Sequence, residues 1–275
     1  MKVSVGIDCG SRTVKAVIFD CETKEIIDYG ILDNGLFPLK NINKLLDNIL
    51  IKNQIKPYDI ASLAGTGYGR NSVNLHNLNS LKNQQIPLFT FSEITCHGKG
   101  SSYLLPDCHT IIDIGGQDSK VILIDDKGKT IDFVMNDKCA AGTGRFLEKL
   151  AQILDMSLDM LDPLAKQHDR KIIISSTCVV FAESEIIGLL ANEEKAENII
   201  YSIYSSIARR VFSQSGTLSL TKPISFVGGV AHHETIKEIF SELYECEIKS
   251  PENPSIAGAL GAAILANDSL ERAKK

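Results

Sequence analysis

Apolar and polar positions alternate along this chain in two rhythms. Val3–Ile7 and Thr110–Ile112 are short runs rich in β-branched residues, and each stops at an aspartate, Asp8 or Asp113. A second apolar run follows each, Val17–Phe19 and Ile122–Ile124, stopping at Asp20 or Asp125. Short apolar runs bounded by polar turns predict strands. Ile60–Ala64, Lys171–Ile174 and Pro223–Val227 predict further strands on the same ground. Elsewhere the spacing becomes helical. Ile42, Leu45, Leu46, Ile49 and Leu50 fall on one face and predict a helix over 42–51. Helices are also predicted near 92–100, 146–154, 181–190, 196–212 and 256–265. The last is rich in Ala and Gly, which lets two backbones approach closely.

The strand runs belong to an internal repeat. DCGSRTVKAVIFD (8–20) aligns without a gap on DIGGQDSKVILID (113–125), matching Asp8 with Asp113, Gly10 with Gly115, Lys15 with Lys120 and Asp20 with Asp125. Each copy reads as strand, polar turn, strand, turn, strand, with Thr130–Met135 as the third strand of the second copy. The first turn carries Gly10, Ser11, Arg12 and Thr13 in one copy and Gly115, Gly116, Gln117 and Asp118 in the other. Such a turn leaves backbone N–H groups free to point at an anion. The aspartate before it stands where it can hold Mg²⁺ through water. A lone hairpin is ordinary turn chemistry, but two gapless copies can grip a nucleotide's phosphate chain from both sides. The hydroxyls of Ser11 and Thr13 are candidate phosphate contacts. Lys15 reads as a phosphate ligand or a solvated strand residue, and Lys120, at the equivalent position, as a solvated strand residue. Gln117 reads either as a water- or phosphate-binding residue or as a plain turn residue.

Composition narrows the class. A net charge of −5 with no Lys/Arg cluster gives no sign of nucleic-acid binding. No stretch approaches the roughly 18–20 apolar residues of a membrane span, and the N-terminal apolar run ends at Asp8, too early for a signal peptide. A cytoplasmic protein is therefore expected. Seven cysteines, odd in number and irregular in spacing, exclude a disulfide framework as the expectation. The His232-His233 pair has no partner at ligand spacing and is expected as a surface pair at a helix start.

The paired hairpins, followed by VGGVA (227–231) and IAGALGAAI (256–264), resemble the superfamily of actin, heat-shock chaperone ATPases and acetate and sugar kinases. The resemblance implies an α/β protein of two actin-like ATPase (ribonuclease H-like) domains with nucleotide in the interdomain cleft. The division expected is 1–91 plus 256–275 for the first domain and 92–255 for the second. It implies that Asp8 and Asp113 hold Mg²⁺, that the hairpin turns hold the phosphates of ATP or ADP, and that Gly228, Gly229 and Ala231 lie by the adenosine. Ser92-Glu93-Ile94-Thr95 resembles the superfamily's first interdomain connection. By that resemblance Glu93 lies near the metal and the attacking water; read locally, it is an acid near a helix N-cap.

A narrower resemblance lies in NDKCAAGTGRFLE (136–148) and SSTCVVFAESEI (175–186). Both are similar to the cysteine motifs of the activator (component A) of 2-hydroxyacyl-CoA dehydratases, a group that includes the ATPase subunits of benzoyl-CoA reductase. The resemblance covers essentially the whole chain. It implies a homodimer with one 4Fe–4S cluster between its subunits, Cys139 and Cys178 supplying two thiolates from each. ATP hydrolysis then drives a low-potential electron, received from a donor such as ferredoxin or flavodoxin, into a partner dehydratase or reductase. Gly142 and Gly144 are expected beside nucleotide or cluster, and Arg145 beside a phosphate or a subunit neighbour.

Spacing alone leaves the two cysteines open. They stand 39 positions apart, far from the tight spacing of a ferredoxin, and each precedes a predicted helix. Helix-flanking core cysteines would look the same. In favour of a cluster, a twofold axis doubles two thiolates to four, and helix N-termini favour anions. Two alternatives share the fold: a small-molecule kinase for an amino sugar, which needs an aspartate base that is not evident between the hairpins, and a nucleotide-switched assembly protein resembling actin.

Overall fold

The computed structural model describes residues 1–35, 37–174 and 178–273. The opening of the second cysteine motif, 175–177, lies outside them. In chain order the elements are β1 (Val3–Cys9), β2 (Thr13–Asp20), β3 (Ile26–Asp33), α1 (Pro38–Lys52), β4 (Ile60–Thr66), β5 (Leu88–Thr90), α2 (Glu93–Leu104), β6 (Thr110–Ile114), β7 (Ser119–Ile124), β8 (Thr130–Asn136), α3 (Gly144–Ile153), α4 (Leu158–Ala165), α5 (Val179–Ala191), α6 (Ala196–Ser215), β9 (Ile224–Val227), α7 (Glu234–Tyr244), β10 (Ile248–Lys249) and α8 (Ala257–Ala273).

The chain divides into two units. The first comprises Met1–Asp107, Ile124–Ile131 and Ser255–Lys275, the second Cys108–Leu123 and Asp132–Pro254. The stretch 92–107, placed with the second domain by the sequence reading, belongs to the first unit, where α2 packs along α8.

The first unit is built on a sheet of order β3-β2-β1-β4-β5. β1–β2 and β2–β3 are antiparallel hairpins, while β4 joins β1, and β5 joins β4, in parallel. β2 shows why its apolar run is continuous. Val14, Ala16 and Ile18 pack with α1, whereas Val17 and Phe19 pack with α8. Successive side chains point to opposite faces, so a strand covered on both faces must be apolar throughout. α1 starts on Pro38 and buries Ile42, Leu45, Leu46, Ile49 and Leu50, the predicted stripe. Each such side chain, once fully buried, contributes about 1.5–3 kcal/mol.

α8 meets its neighbours backbone to backbone. A Cβ on Gly6 of β1 would lie 2.0 Å from the Ala259 carbonyl oxygen, and one on Gly261 would lie 1.8 Å from that of Cys96. The small residues read from the sequence therefore form a seam in which no side chain separates α8 from β1 or α2.

The second unit repeats the first. Its sheet order is β10-β9-β6-β7-β8, with β6–β7 antiparallel and β9 parallel to β6, so β6, β7, β8, β9 and β10 take the places of β1, β2, β3, β4 and β5. α3, α6 and α7 fill its core with Phe146, Leu150, Ile203, Ile207 and Phe240. The predicted strand 171–174 is not one. Ile172 and Ile174 rest on this core while Ile173 stays 89% exposed, and among the described residues no sheet edge pairs with the segment. Its β-branched residues satisfy the propensity for extended structure, but a strand needs a ladder partner. β5, β10 and α4, the last with Pro163 inside it, had no clear sequence signal. No helix among the described residues is long and apolar enough to cross a membrane.

Candidate functional site

The two hairpins place equivalent atoms in equivalent positions. In each turn the first glycine N–H donates across to the strand that follows: Gly10 to the Thr13 carbonyl at 3.0 Å and Gly115 to the Asp118 carbonyl at 2.9 Å. Ser11, Arg12 and Gln117 are exposed on the turns, and Thr13, Gly115, Gly116 and Asp118 are half-buried. The first turn is braced by Asn34, whose side-chain amide donates to the Gly10 carbonyl and whose N–H donates to that of Arg12 at 2.9 Å.

Behind each turn the aspartate is buried, Asp8 and Asp113 alike at 2% exposure. The ladder register sets Asp8 opposite Lys15 and Asp113 opposite Lys120. Lys15 Nζ donates to Asp8 Oδ2 at 3.1 Å, and Lys120 Nζ to Asp113 Oδ2 at 3.2 Å, with Asp118 Oδ2 at 3.0 Å from the same ammonium. Neither lysine is a solvated strand residue; each neutralises its repeat's aspartate. The other oxygen of Asp8, Oδ1, is buried with no hydrogen-bond partner among the described residues. An orphaned buried carboxylate oxygen fits a cation or its water ligands.

The repeat also extends beyond the hairpins, which sequence reading missed. Gly67 follows Thr66, the residue of β4 opposite Asp8, and Gly228 follows Val227, the residue of β9 opposite Asp113. Both have positive φ, +85° and +90°. A Cβ on Gly67 would lie 2.4 Å from Asp8 Oδ1, and one on Gly228 would lie 2.5 Å from Asp113 Oδ1. Each aspartate thus sits under a left-handed glycine supplied by the parallel strand beside it. The likeness of Gly65-Thr66-Gly67 to Val227-Gly228-Gly229 is one of place in the sheet, hardly of letters. Gly229 has open space around its Cα, and Ala231 is buried.

Glu93 opens α2, capped by Ser92, whose Oγ accepts from the Thr95 N–H at 3.1 Å. One turn on, Nε2 of the buried His97 lies 3.9 Å from Glu93 Oε1.

Cys139 and Cys178 each stand in extended backbone at the N-cap of a helical segment: Cys139 before the 3₁₀ turn Ala140–Gly142, Cys178 before α5. Cys139 is half-buried and Cys178 exposed. Asn136 clamps Cys139, accepting from its N–H at 3.0 Å and donating to its carbonyl at 2.8 Å. Thr143 then caps α3, accepting from the Arg145 N–H at 3.3 Å. The first amides of α3 reach the second aspartate turn: Gly144 N–H donates to Gly115 O at 2.9 Å and Arg145 N–H to Gly116 O at 2.8 Å. A Cβ on Gly144 would lie 3.1 Å from Gly115 O, a tight contact, whereas Gly142 has only ordinary contacts. The Arg145 side chain pairs with Glu148 at 3.4 Å.

The other cysteines are of a different kind. Burial pushes the Cys96 thiol up to about 12, the charges of Asp8 and Glu93 adding to it, and burial also raises Cys9. Cys9 packs against Gly69. Of the histidine pair, His232 is exposed, but His233 turns inward, its Nδ1 2.7 Å from Tyr204 Oη.

Residues 5–266 match the BadF/BadG/BcrA/BcrD ATPase family. The 2-hydroxyisocaproyl-CoA dehydratase activator of Clostridioides difficile is 37% identical over 276 residues, covering 99% of this chain and 97% of its own. The (R)-2-hydroxyglutaryl-CoA dehydratase activating ATPase of Acidaminococcus fermentans is 38% identical and is covered over 96% of each chain. The crystal structure of the Acidaminococcus fermentans (R)-2-hydroxyglutaryl-CoA dehydratase component A superposes with a TM-score of 0.88 at 37% identity, over 98% of this chain and 100% of that one. The ROK hexokinase of Thermus thermophilus, at 12% identity and a TM-score of 0.56, is alike in fold alone. The chain therefore belongs to the BadF/BadG/BcrA/BcrD ATPase family, and is an ATPase with the two-domain actin-like fold that its repeated hairpins imply.

Proposed function

We propose that this chain is an ATP-dependent electron-transfer activator, driving a low-potential electron from a 4Fe–4S cluster into a partner iron–sulfur enzyme of the 2-hydroxyacyl-CoA dehydratase type. The observation that carries this reading is the pair of backbone bonds from Gly144 and Arg145 to the carbonyls of Gly115 and Gly116. They link a turn suited to phosphates directly to the chain that leaves Cys139. The names of the relatives, activators of such dehydratases, support the same reading, as does the bound ADPNP of the Clostridium difficile activator, 34% identical with a TM-score of 0.88.

In this reading the turns 10–13 and 115–118 take the phosphates of ATP, and Asp8 and Asp113 hold Mg²⁺ through water. Lys15 Nζ stands beside the first turn, 3.2 Å from where a Cβ on Gly10 would lie. Gly228, Gly229 and Ala231 lie towards the adenosine. Glu93 and Gln117 orient the attacking water, and no single strong base is needed, because phosphoryl transfer depends mainly on positioning and charge neutralisation.

Cys139 and Cys178 suit a shared cluster in three respects. Both are outside the core, neither is in a disulfide, and a twofold axis makes four thiolates. Around Cys178, α5 leaves Val180, Phe181 and Ile187 exposed, an apolar patch that a second copy would cover. Bound there, a 4Fe–4S cluster supplies one-electron transfer from a donor such as ferredoxin or flavodoxin. Movement of the Gly115–Gly116 turn on hydrolysis reaches Cys139 through the amides of α3. It alters the hydrogen bonding and exposure around Sγ, two determinants of cluster potential.

The test is iron and acid-labile sulfide on anaerobically purified protein. About two irons per chain, lost in both Cys139→Ser and Cys178→Ser, is the expected result. Iron-free wild-type protein, or a Cys139→Ser variant that keeps its iron and ATP-linked reduction of a dehydratase, overturns the reading.

A further inference from the structure

We infer that His97 is a positioning residue of the hydrolytic centre, orienting Glu93 and the water that Glu93 holds. The inference rests on the role of Glu93 in the reading above. Glu93 and His97 are four positions apart on α2 and so share one face of the helix. The separation of 3.9 Å between His97 Nε2 and Glu93 Oε1 is just beyond hydrogen-bond reach. A shared water or a small rotation closes such a gap, and catalytic hydrogen bonds often tighten only once substrate is bound.

His97 also stands near the aspartate assigned to Mg²⁺. A Cβ built on Gly258 would lie 2.7 Å from His97 Nε2 and 3.1 Å from Asp8 Oδ2. Both atoms therefore border one small volume that the missing side chain of Gly258 leaves open. The backbone that carries His97 is closely packed, since the carbonyl of the preceding Cys96 lies against Gly261 of α8. A histidine 5% exposed could serve packing alone. Here Nε2 lies 3.9 Å from a carboxylate on its own helix and borders the same small volume as a second at the end of β1.

The experiment measures Mg-ATP hydrolysis and ATP affinity on the full chain for His97→Ala, His97→Gln, Glu93→Gln and the double variant His97→Ala/Glu93→Gln. His97→Ala is expected to lower kcat about 30–100-fold with ATP affinity changed less than about twofold, a loss confined to the transition state. His97→Gln, which keeps an N–H donor at similar reach, recovers most of the rate. On the Glu93→Gln background His97→Ala costs nothing further, because the two residues act as one unit. An equal loss on both backgrounds marks a structural role and overturns the inference, as does an unchanged kcat in His97→Ala. Should His97→Ala fail to fold, His97→Gln and His97→Asn decide: equal rates in these two overturn the inference, and a faster His97→Gln supports it. Iron content of the same preparations separates the two ideas. ATPase-active wild-type protein without iron overturns the electron-transfer reading and leaves His97 in place, whereas a fully active Glu93→Gln removes this inference.

Discussion

Lys120 lies directly across the β6–β7 ladder from Asp113, its ammonium 3.2 Å from the carboxylate and only 1% of its side chain exposed. The first repeat holds the same pair, Lys15 and Asp8, at 3.1 Å, but there the lysine side chain is 17% exposed. Lys120 is enclosed between two carboxylates and serves the fold. Lys15 keeps an opening to solvent, as its proposed contact with phosphate requires.

The two lysines should separate in mutation. Lys120→Met leaves Asp113 and Asp118 around a vanished charge and is expected to cost about 3–5 kcal/mol, the range for breaking a buried pair. Lys15→Met also strips the buried Asp8 of its partner and should cost stability, but less than Lys120→Met because Lys15 is partly open to solvent, while weakening ATP binding. Urea unfolding and calorimetric ATP titration of the two variants check this, and the opposite ranking would refute it.

Alanine at Gly67 or Gly228 forces a left-handed backbone on a residue with a Cβ, at about 1–2 kcal/mol. It also drives that Cβ into the aspartate oxygen 2.4 or 2.5 Å away. The aspartate has to move. The expected result is a folded protein with ATPase activity down about 100-fold, the scale of an ångström's misplacement at a reacting centre. Circular dichroism and a phosphate-release assay test it.

Gly261→Ala attacks the fold. Its Cβ would sit 1.8 Å from the Cys96 carbonyl oxygen, and a backbone atom on α2 has no rotamer by which to escape. A loss of about 3 kcal/mol, the upper end for overpacking, is expected. It should appear as a lowered thermal midpoint.

His233 predicts a pH dependence. Burial depresses it to about 4 from the ordinary 6.5, with Asp162 raising it and His232 lowering it. Above pH 6.5 the imidazole is neutral in both folded and unfolded chains, and its contribution is fully present. As pH falls towards 4 the unfolded chain binds a proton that the native ring refuses, so stability is lost over that window, by about 3 kcal/mol at most. Urea unfolding between pH 7 and pH 4, with His233→Gln flattening that part of the profile, is the measurement.

What the sequence by itself determined is local or repeated. The two aspartate turns, the α1 stripe, the helices that follow Cys139 and Cys178, and the crowded seam of α8 were legible. A turn is set by its own residues, and a buried face by a period of two or 3.6. Two copies of one hairpin removed the ambiguity of each. Only the tertiary structure decided the partners. Lys15 and Lys120 turned out to neutralise the aspartates because antiparallel register sets residues seven apart face to face. Gly67 and Gly228 were brought over those aspartates by parallel pairing across more than fifty residues. His97 came beside Gly258, and so near Asp8, only through the packing of α2 on α8. The run 171–174 stayed out of the sheets although its letters favour a strand, because propensity is a property of a residue and a ladder is a property of two segments.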